Sequence, residues 1–217
     1  MKEARLDWER ASRTGVPEAI YCEGKSALQI NAILIEARAK GRSLLLTRLD
    51  AEKASALEVA LTYDAASETA VLGDMPSATD LGVAIVAAGT SDTKVACEAQ
   101  RTLAFSGVSA DLHIDIGVAG LWRLTECAAQ LQDKRIVIAC AGFEAALFSV
   151  LAGLIKAPII AVPTSVGFGV GAGGQAALSS ALASCAPGVL TVNIDNGFGA
   201  ACAALKILNA TIGEPSK

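Results

Sequence analysis

The chain has 217 residues, of which 53% are hydrophobic, 18% charged and 4% aromatic, and its formal net charge is −4. That acidic balance, with no basic stripe to neutralise phosphates, excludes nucleic acid as the main partner. No continuous apolar run reaches the about 18 residues of a membrane helix, and the charged start "MKEARLDWER" lacks the apolar core of a signal peptide, so a cytoplasmic protein is expected.

The length suits one large domain, or an ordinary one with a small appendage. A surface so poor in charge points to burial in an oligomer. Residues 1–78 hold most of the charged side chains, both Tyr and one Trp, and read as a small N-terminal α+β region. "LGDMPSATD" (72–80) is the junction, with Pro, Gly and Asp between two apolar segments.

From residue 79 to 217 a rhythm appears. Apolar runs predict strands at 83–88, 111–117, 135–141, 158–162 and 189–194. Helical periodicity fills the intervals near 92–107, 120–132, 143–156, 174–184 and 197–209. Short buried strands alternating with helices predict an α/β domain, a doubly wound parallel sheet covered on both faces. Its ligand belongs beyond the C-terminal strand ends, where the strand order reverses.

Those ends share a chemistry. The first gives Gly89, Thr90, Ser91 and Asp92; the second runs from Asp115 through Gly117 to Gly120; the third gives Gly142, Phe143 and Glu144. The fourth gives Thr164, Ser165 and Gly167, and the fifth Asp195, Asn196 and Gly197. Such residues also cap helices and make turns, but five together place several helix N-terminal amides around one anion cradle. "GFGVGAGG" (167–174) is no nucleotide fingerprint in that position and reads as a mobile flap.

Asp92 and Ser91 serve equally as caps of the first helix or as a catalytic pair. Glu144 at the start of the third helix is favoured there by the helix dipole in any case. His113, the one histidine, lies mid-strand and reads as structural, so no Ser-His-Asp or Cys-His arrangement can be built. Six cysteines without a CxxC pair are expected to be reduced. Cys185, in "LASCAPG" between a helix and the fifth strand, and Cys22 are the two placed for exposure. Cys185 is expected in a loop facing the glycine flap.

"AGTSDTKVACEA", "DIGVAGLWRL", "AGFEAALFSVLAGLIKAPIIAVPTSVGFG" and "SCAPGVLTVNIDNGFGAA" resemble the LarB family of nickel-pincer cofactor biosynthesis, as does "RTGVPEAIYCEGKS" near the N-terminus. The resemblance covers nearly the whole chain. It implies a C-terminal domain similar to phosphoribosylaminoimidazole carboxylase, and sites formed between the subunits of a homo-octamer. It further implies carboxylation of nicotinic acid adenine dinucleotide at C5 of the pyridinium by CO2. The phosphoanhydride is hydrolysed as well, giving pyridinium-3,5-biscarboxylate mononucleotide and AMP.

On that resemblance Cys185 is the nucleophile and Asp92 or Glu144 the base. Thr90, Ser91, Gly117 and Gly120 hold phosphate or carboxylate, with Arg123 as a cationic clamp, and Asp92 is left free to handle a proton. No tightly bound cofactor is implied. By their own chemistry the acid-rich residues of "NIDNG" could hold Mg2+, but Asp195 and Asn196 serve equally as turn residues. The sequence departs from the family where Trp122 stands for a usual histidine, Phe148 for a proline and Thr93-Lys94 for a more apolar pair. An indole cannot shuttle a proton, but it can stack on a ring. Two other readings stay open: an aminoimidazole ribonucleotide carboxylase or mutase, and a nucleotide-binding protein without turnover.

Overall fold

The computed structural model describes residues 4–212. The N-terminal part builds a four-stranded mixed sheet from β1 (Ala19–Tyr21), β2 (Leu44–Thr47), β3 (Thr62–Asp64) and β4 (Thr69–Leu72), in the order β1-β2-β4-β3. Its helices are α1 (Arg10–Thr14), α2 (Ala27–Ala39) and α3 (Ala51–Ser55). A capping box starts α2: the Gln29 amide donates to Ser26 Oγ at 3.2 Å, and the Ser26 amide donates to Gln29 Oε1 at 3.0 Å. Two orphan donors of the first turn are satisfied in this way. Strand residues alternate between faces. Thus Leu44, Leu46, Ala70 and Leu72 pack on Ile30, Ile33 and Leu34 of α2. Leu45 and Val71, on the other face, meet Phe105.

Phe105 ends α4 (Thr93–Phe105) of the second part, so α4 is where the two parts join. There the strands are β5 (Thr79–Ala87), β6 (Val108–His113), β7 (Ile136–Ala141), β8 (Ile159–Pro163) and β9 (Val189–Thr191). All pair in parallel, in the order β6-β5-β7-β8-β9. The expected doubly wound α/β sheet is present, and every residue of β7 and β8 is buried. Helices α5 (Leu121–Gln130), α6 (Leu147–Ala152) and α7 (Gln175–Leu182) cover one face, over Val86, Val137, Ala139 and Ala161. Helices α4 and α8 (Gly197–Ile212) cover the other, over Ile85, Ile138, Cys140 and Ile160. Period-two alternation along apolar strands supplies both cores. Among the described residues no helix is long and apolar enough to cross a membrane.

Several boundaries differ from the sequence reading, and three have a local backbone cause. β5 starts at Thr79, four residues earlier, because Gly82 (φ 77°) forms a bulge between Asp80 and Val83 rather than a turn. β6 stops at His113, before the Asp115 residue with φ 65°. α6 begins only at Leu147, so Glu144 does not start a helix. Phe143 (φ 53°) and Ala145 (φ 50°) flank it in left-handed backbone, which a helix cannot accommodate. Phe148, one of the positions where the sequence departs from the pattern it resembles, is a fully buried core residue.

Candidate active site

The strand order reverses between β5 and β7: the chain leaves β5 through α4 over one face and β7 through α6 over the other. The crevice lies above their C-terminal ends. There Asp92 is 3% exposed. Its Oδ2 accepts from the Gly89 amide at 2.9 Å, and its Oδ1 pairs with the Thr164 hydroxyl at 2.5 Å. Asp92 therefore ties the loop after β5 to the loop after β8, and neither carboxylate oxygen is free as the sequence reading expected. Burial pushes its carboxyl above the ordinary carboxylate range; the Thr164 and Gly89 bonds pull the other way, and the charge of Asp195 adds to the rise.

The other turns crowd onto this knot. A Cβ on Gly142 would strike the Val166 carbonyl and lie 2.8 Å from Thr164 Oγ1, so only glycine lets the loops after β7 and β8 pass this closely. The Phe143 amide donates to Val166 O at 2.8 Å. Gly117 lies against the Ala88 carbonyl, 2.8 Å from where its Cβ would be. Glu144 projects from the strained turn, exposed and without a hydrogen bond or ion pair among the described residues. Phe143 stacks edge-on against Phe168 of the flap, centroids 5.3 Å apart, and Phe168 is 77% exposed. Gly167 lies against the Gly171 carbonyl, folding the flap on itself.

Thus Gly89, Ser91, Asp92, Gly117, Gly142, Thr164 and Ser165 stand at one end of the sheet, with Thr90 exposed in the turn between them. Trp122 and Arg123 lie to one side, on the first turn of α5. Arg123 wraps over Gly120 and is spent on an ion pair with Asp115, so it is not the free clamp expected. Trp122 is 65% exposed. His113 is half-buried, with an unpartnered Nε2.

Cys185 is the larger correction. It is exposed, but follows α7 and precedes β9, so it lies beyond the N-terminal end of the sheet. The flap opens α7; the cysteine comes after its other end, about 12 Å away along eight residues. Cys22 is wholly buried rather than exposed, and burial pushes its thiol up to about 12.

Sequence reasoning missed a charged seam between the two parts. Arg48, which follows β2, donates from Nε to Glu98 Oε1 on α4 at 3.1 Å and from Nη2 to the Asp195 carbonyl. Glu98 is 3% exposed, and its Oε2 accepts the Phe198 amide at 3.1 Å. Burial raises its carboxyl despite Arg48 and the amides of Phe198 and Gly197. Lys94 pairs with Glu68 at 2.5 Å. Asp195 Oδ1 accepts the Ser165 amide at 2.8 Å, and Asn196 Oδ1 accepts that of Gly199 at 2.8 Å. A cavity of about 130 Å3 remains between Arg48, Ser67, Ser91, Glu98, Ser165 and Asp195. The signal for it was Glu98 itself: an acid among the apolar positions Val95, Ala99 and Leu103 of α4 requires a buried partner. Among the described residues no three His, Cys, Asp or Glu side chains come together as a metal site.

A family model described as LarB/PurE-like N-terminal domain matches residues 1–74, and one described as AIR carboxylase matches residues 82–214. An uncharacterized protein of Methanocaldococcus jannaschii is 36% identical over 208 residues, which cover 90% of this chain and 80% of that relative.

Proposed function

The chain belongs to the LarB family, a carboxylase-type family with an AIR carboxylase domain, and on that premise we propose that it carboxylates and hydrolyses nicotinic acid adenine dinucleotide. The observation that carries the reading is the knot at the switch point: a buried carboxyl, Asp92, at the same end of the sheet as an exposed acid, Glu144. One acid shielded from water and one open to it suit proton transfer at a bound substrate.

A pyridinium is too electron-poor for C5 to attack CO2. Addition of the Cys185 thiolate at C4 or C6 turns the ring into a neutral enamine. The enamine electrons then form the C5–CO2 bond and restore the cationic iminium. Glu144 or Asp92 takes the C5 proton, those electrons rebuild the ring double bond, and the thiolate leaves. Water cleaves the phosphoanhydride to release AMP. No tightly bound cofactor is invoked; Mg2+ enters as a counter-ion of the diphosphate, since Asn196 and one oxygen of Asp195 are already committed to the turn. Because Cys185 is beyond the opposite end of its own sheet, it reaches the ring of a neighbouring subunit. The working unit in this reading is a homo-octamer with shared sites.

The position of Cys185 also favours a second reading, a cysteine-independent aminoimidazole ribonucleotide carboxylase or mutase. One experiment separates them. The protein is mixed with nicotinic acid adenine dinucleotide, bicarbonate and Mg2+, and products are read by mass. AMP with a mononucleotide heavier by one carboxylate supports the first reading, and Cys185→Ser must abolish the carboxylated product. No product here, with turnover of aminoimidazole ribonucleotide by wild type and Cys185→Ser alike, supports the second. Retained binding of either nucleotide with no turnover identifies a binding protein.

A further inference from the structure

The seam cavity stands beside the Asp92 knot and opens at the same end of the sheet, since Ser91 follows β5 and Ser165 follows β8. Its volume, about 130 Å3, holds one small polar group, or about four waters' worth of space. Its cations are already committed, Arg48 to Glu98 and Lys94 to Glu68. Asp195 has no such partner: Arg48 meets only its carbonyl, and Oδ1 alone of its carboxylate is used, by the Ser165 amide. Asp195 Oδ2 and the hydroxyls of Ser91 and Ser165 make no hydrogen bond among the described residues. The backbone is strained around the same space, with Arg48 at φ 53°, Glu68 at 49° and Asp195 at 56°.

An unpaired carboxylate repels an anion and accepts from hydroxyls; serine hydroxyls both donate and accept. A neutral group with two adjacent hydroxyls matches that set, as acids in nucleotide folds match a ribose. We propose that the seam cavity is a sugar subsite that takes the vicinal diol of a ribose. Asp195 accepts from the hydroxyls, Ser91 and Ser165 complete their bonds, and Arg48 brings the N-terminal part into the site. The subsite deepens the ribonucleotide reading above and rests on it for the class of substrate.

The test is calorimetric titration of the full chain with D-ribose 5-phosphate, 2-deoxy-D-ribose 5-phosphate and inorganic phosphate. Ribose 5-phosphate is expected to bind about tenfold or more tightly than either of the others, because one hydroxyl on a carboxylate is lost from the deoxy sugar. Asp195→Asn removes the charge, tolerates the left-handed backbone and keeps an oxygen for the Ser165 amide. It is expected to erase the preference while phosphate binding is unchanged. Equal binding of the two sugars, a preference that survives Asp195→Asn, phosphate binding as tight as the sugar phosphate, or no binding of any probe each overturns the subsite. No readout needs turnover. Sugar preference without carboxylation of nicotinic acid adenine dinucleotide defeats the proposed reaction and leaves the subsite standing; carboxylation without sugar preference does the reverse.

Discussion

Arg48 Nε and Glu98 Oε1 meet at 3.1 Å across the seam, fifty residues apart in the chain, with the Glu98 side chain 4% exposed and that of Arg48 25%. The pair is the polar counterpart of the apolar contact of Leu45 and Val71 on Phe105. Removing one partner leaves the other charge buried. Arg48→Met is therefore expected to cost about 3 kcal/mol of stability. The double variant Arg48→Met with Glu98→Gln should cost less than the sum of the two single changes. Urea denaturation of the four proteins gives the coupling; strict additivity would show that the pair is not what joins the parts.

Asp92 gives a pH dependence whose sign can be worked out. Its folded carboxyl titrates above its unfolded value of 3.8 because burial disfavours the charge. Its contribution to stability is thus full below pH 3.8 and is lost as pH rises through the folded value. Asp7, Asp50 and Asp111, each held low, act in the opposite direction, so the wild-type curve alone is a mixture. The difference between wild type and Asp92→Asn removes them. Urea unfolding from pH 4 to 8 is expected to show wild type gaining on the variant as pH falls. A difference that is flat with pH would mean Asp92 is charged throughout.

The alternation of apolar runs with helical stretches made the five parallel strands legible, because strands buried on both faces must read as continuous hydrophobes. Glycines at strand ends were legible for the same local reason. The seam was not, since Arg48 and Asp195 are 147 residues apart and neither is unusual in its own segment. Cys185 was misplaced although the rule was available. In a parallel sheet, a loop that precedes a strand lies at the strand's N-terminal end, away from the site.

Gly142 sets how closely the loops after β7 and β8 approach. A methyl group there must displace Val166 or Thr164, two neighbours held by backbone bonds, Phe143 to Val166 O and Thr164 to Ala141 O at 2.9 Å. Gly142→Ala is expected to cost about 2 kcal/mol by overpacking and to loosen the Thr164–Asp92 contact. Thermal unfolding measures the first effect; a shift of the Asp92 carboxyl resonance titration measures the second. An unchanged melting temperature would show that the loops yield freely.

Exposure separates Cys185 from the other five. Burial pushes Cys127 and Cys202 each up to about 11, holds Cys97 above its ordinary value and puts Cys140 far above it. At pH 8 iodoacetamide is expected to label Cys185 first, and Cys185→Ser to remove the fast phase. Peptide mapping decides it; first labelling elsewhere would mean the native assembly covers this loop.

Cys185 and Glu144 lie toward opposite ends of one sheet, so a reaction that uses both must draw them from different subunits. Co-expression of Cys185→Ser and Glu144→Gln chains tests this without any structure of the assembly. Where Glu144 rather than Asp92 is the base, each single variant is expected to be inactive. In a random equal mixture, a shared site receives its cysteine from a Glu144→Gln chain half the time and its glutamate from a Cys185→Ser chain half the time, so about a quarter of sites are intact. Recovery of about that fraction of wild-type product would require shared sites. If both residues came from one chain, every site would carry a defect and mixing would restore nothing. Full activity of Cys185→Ser alone would remove the cysteine from the chemistry and turn the proposal toward the carboxylase or mutase reading.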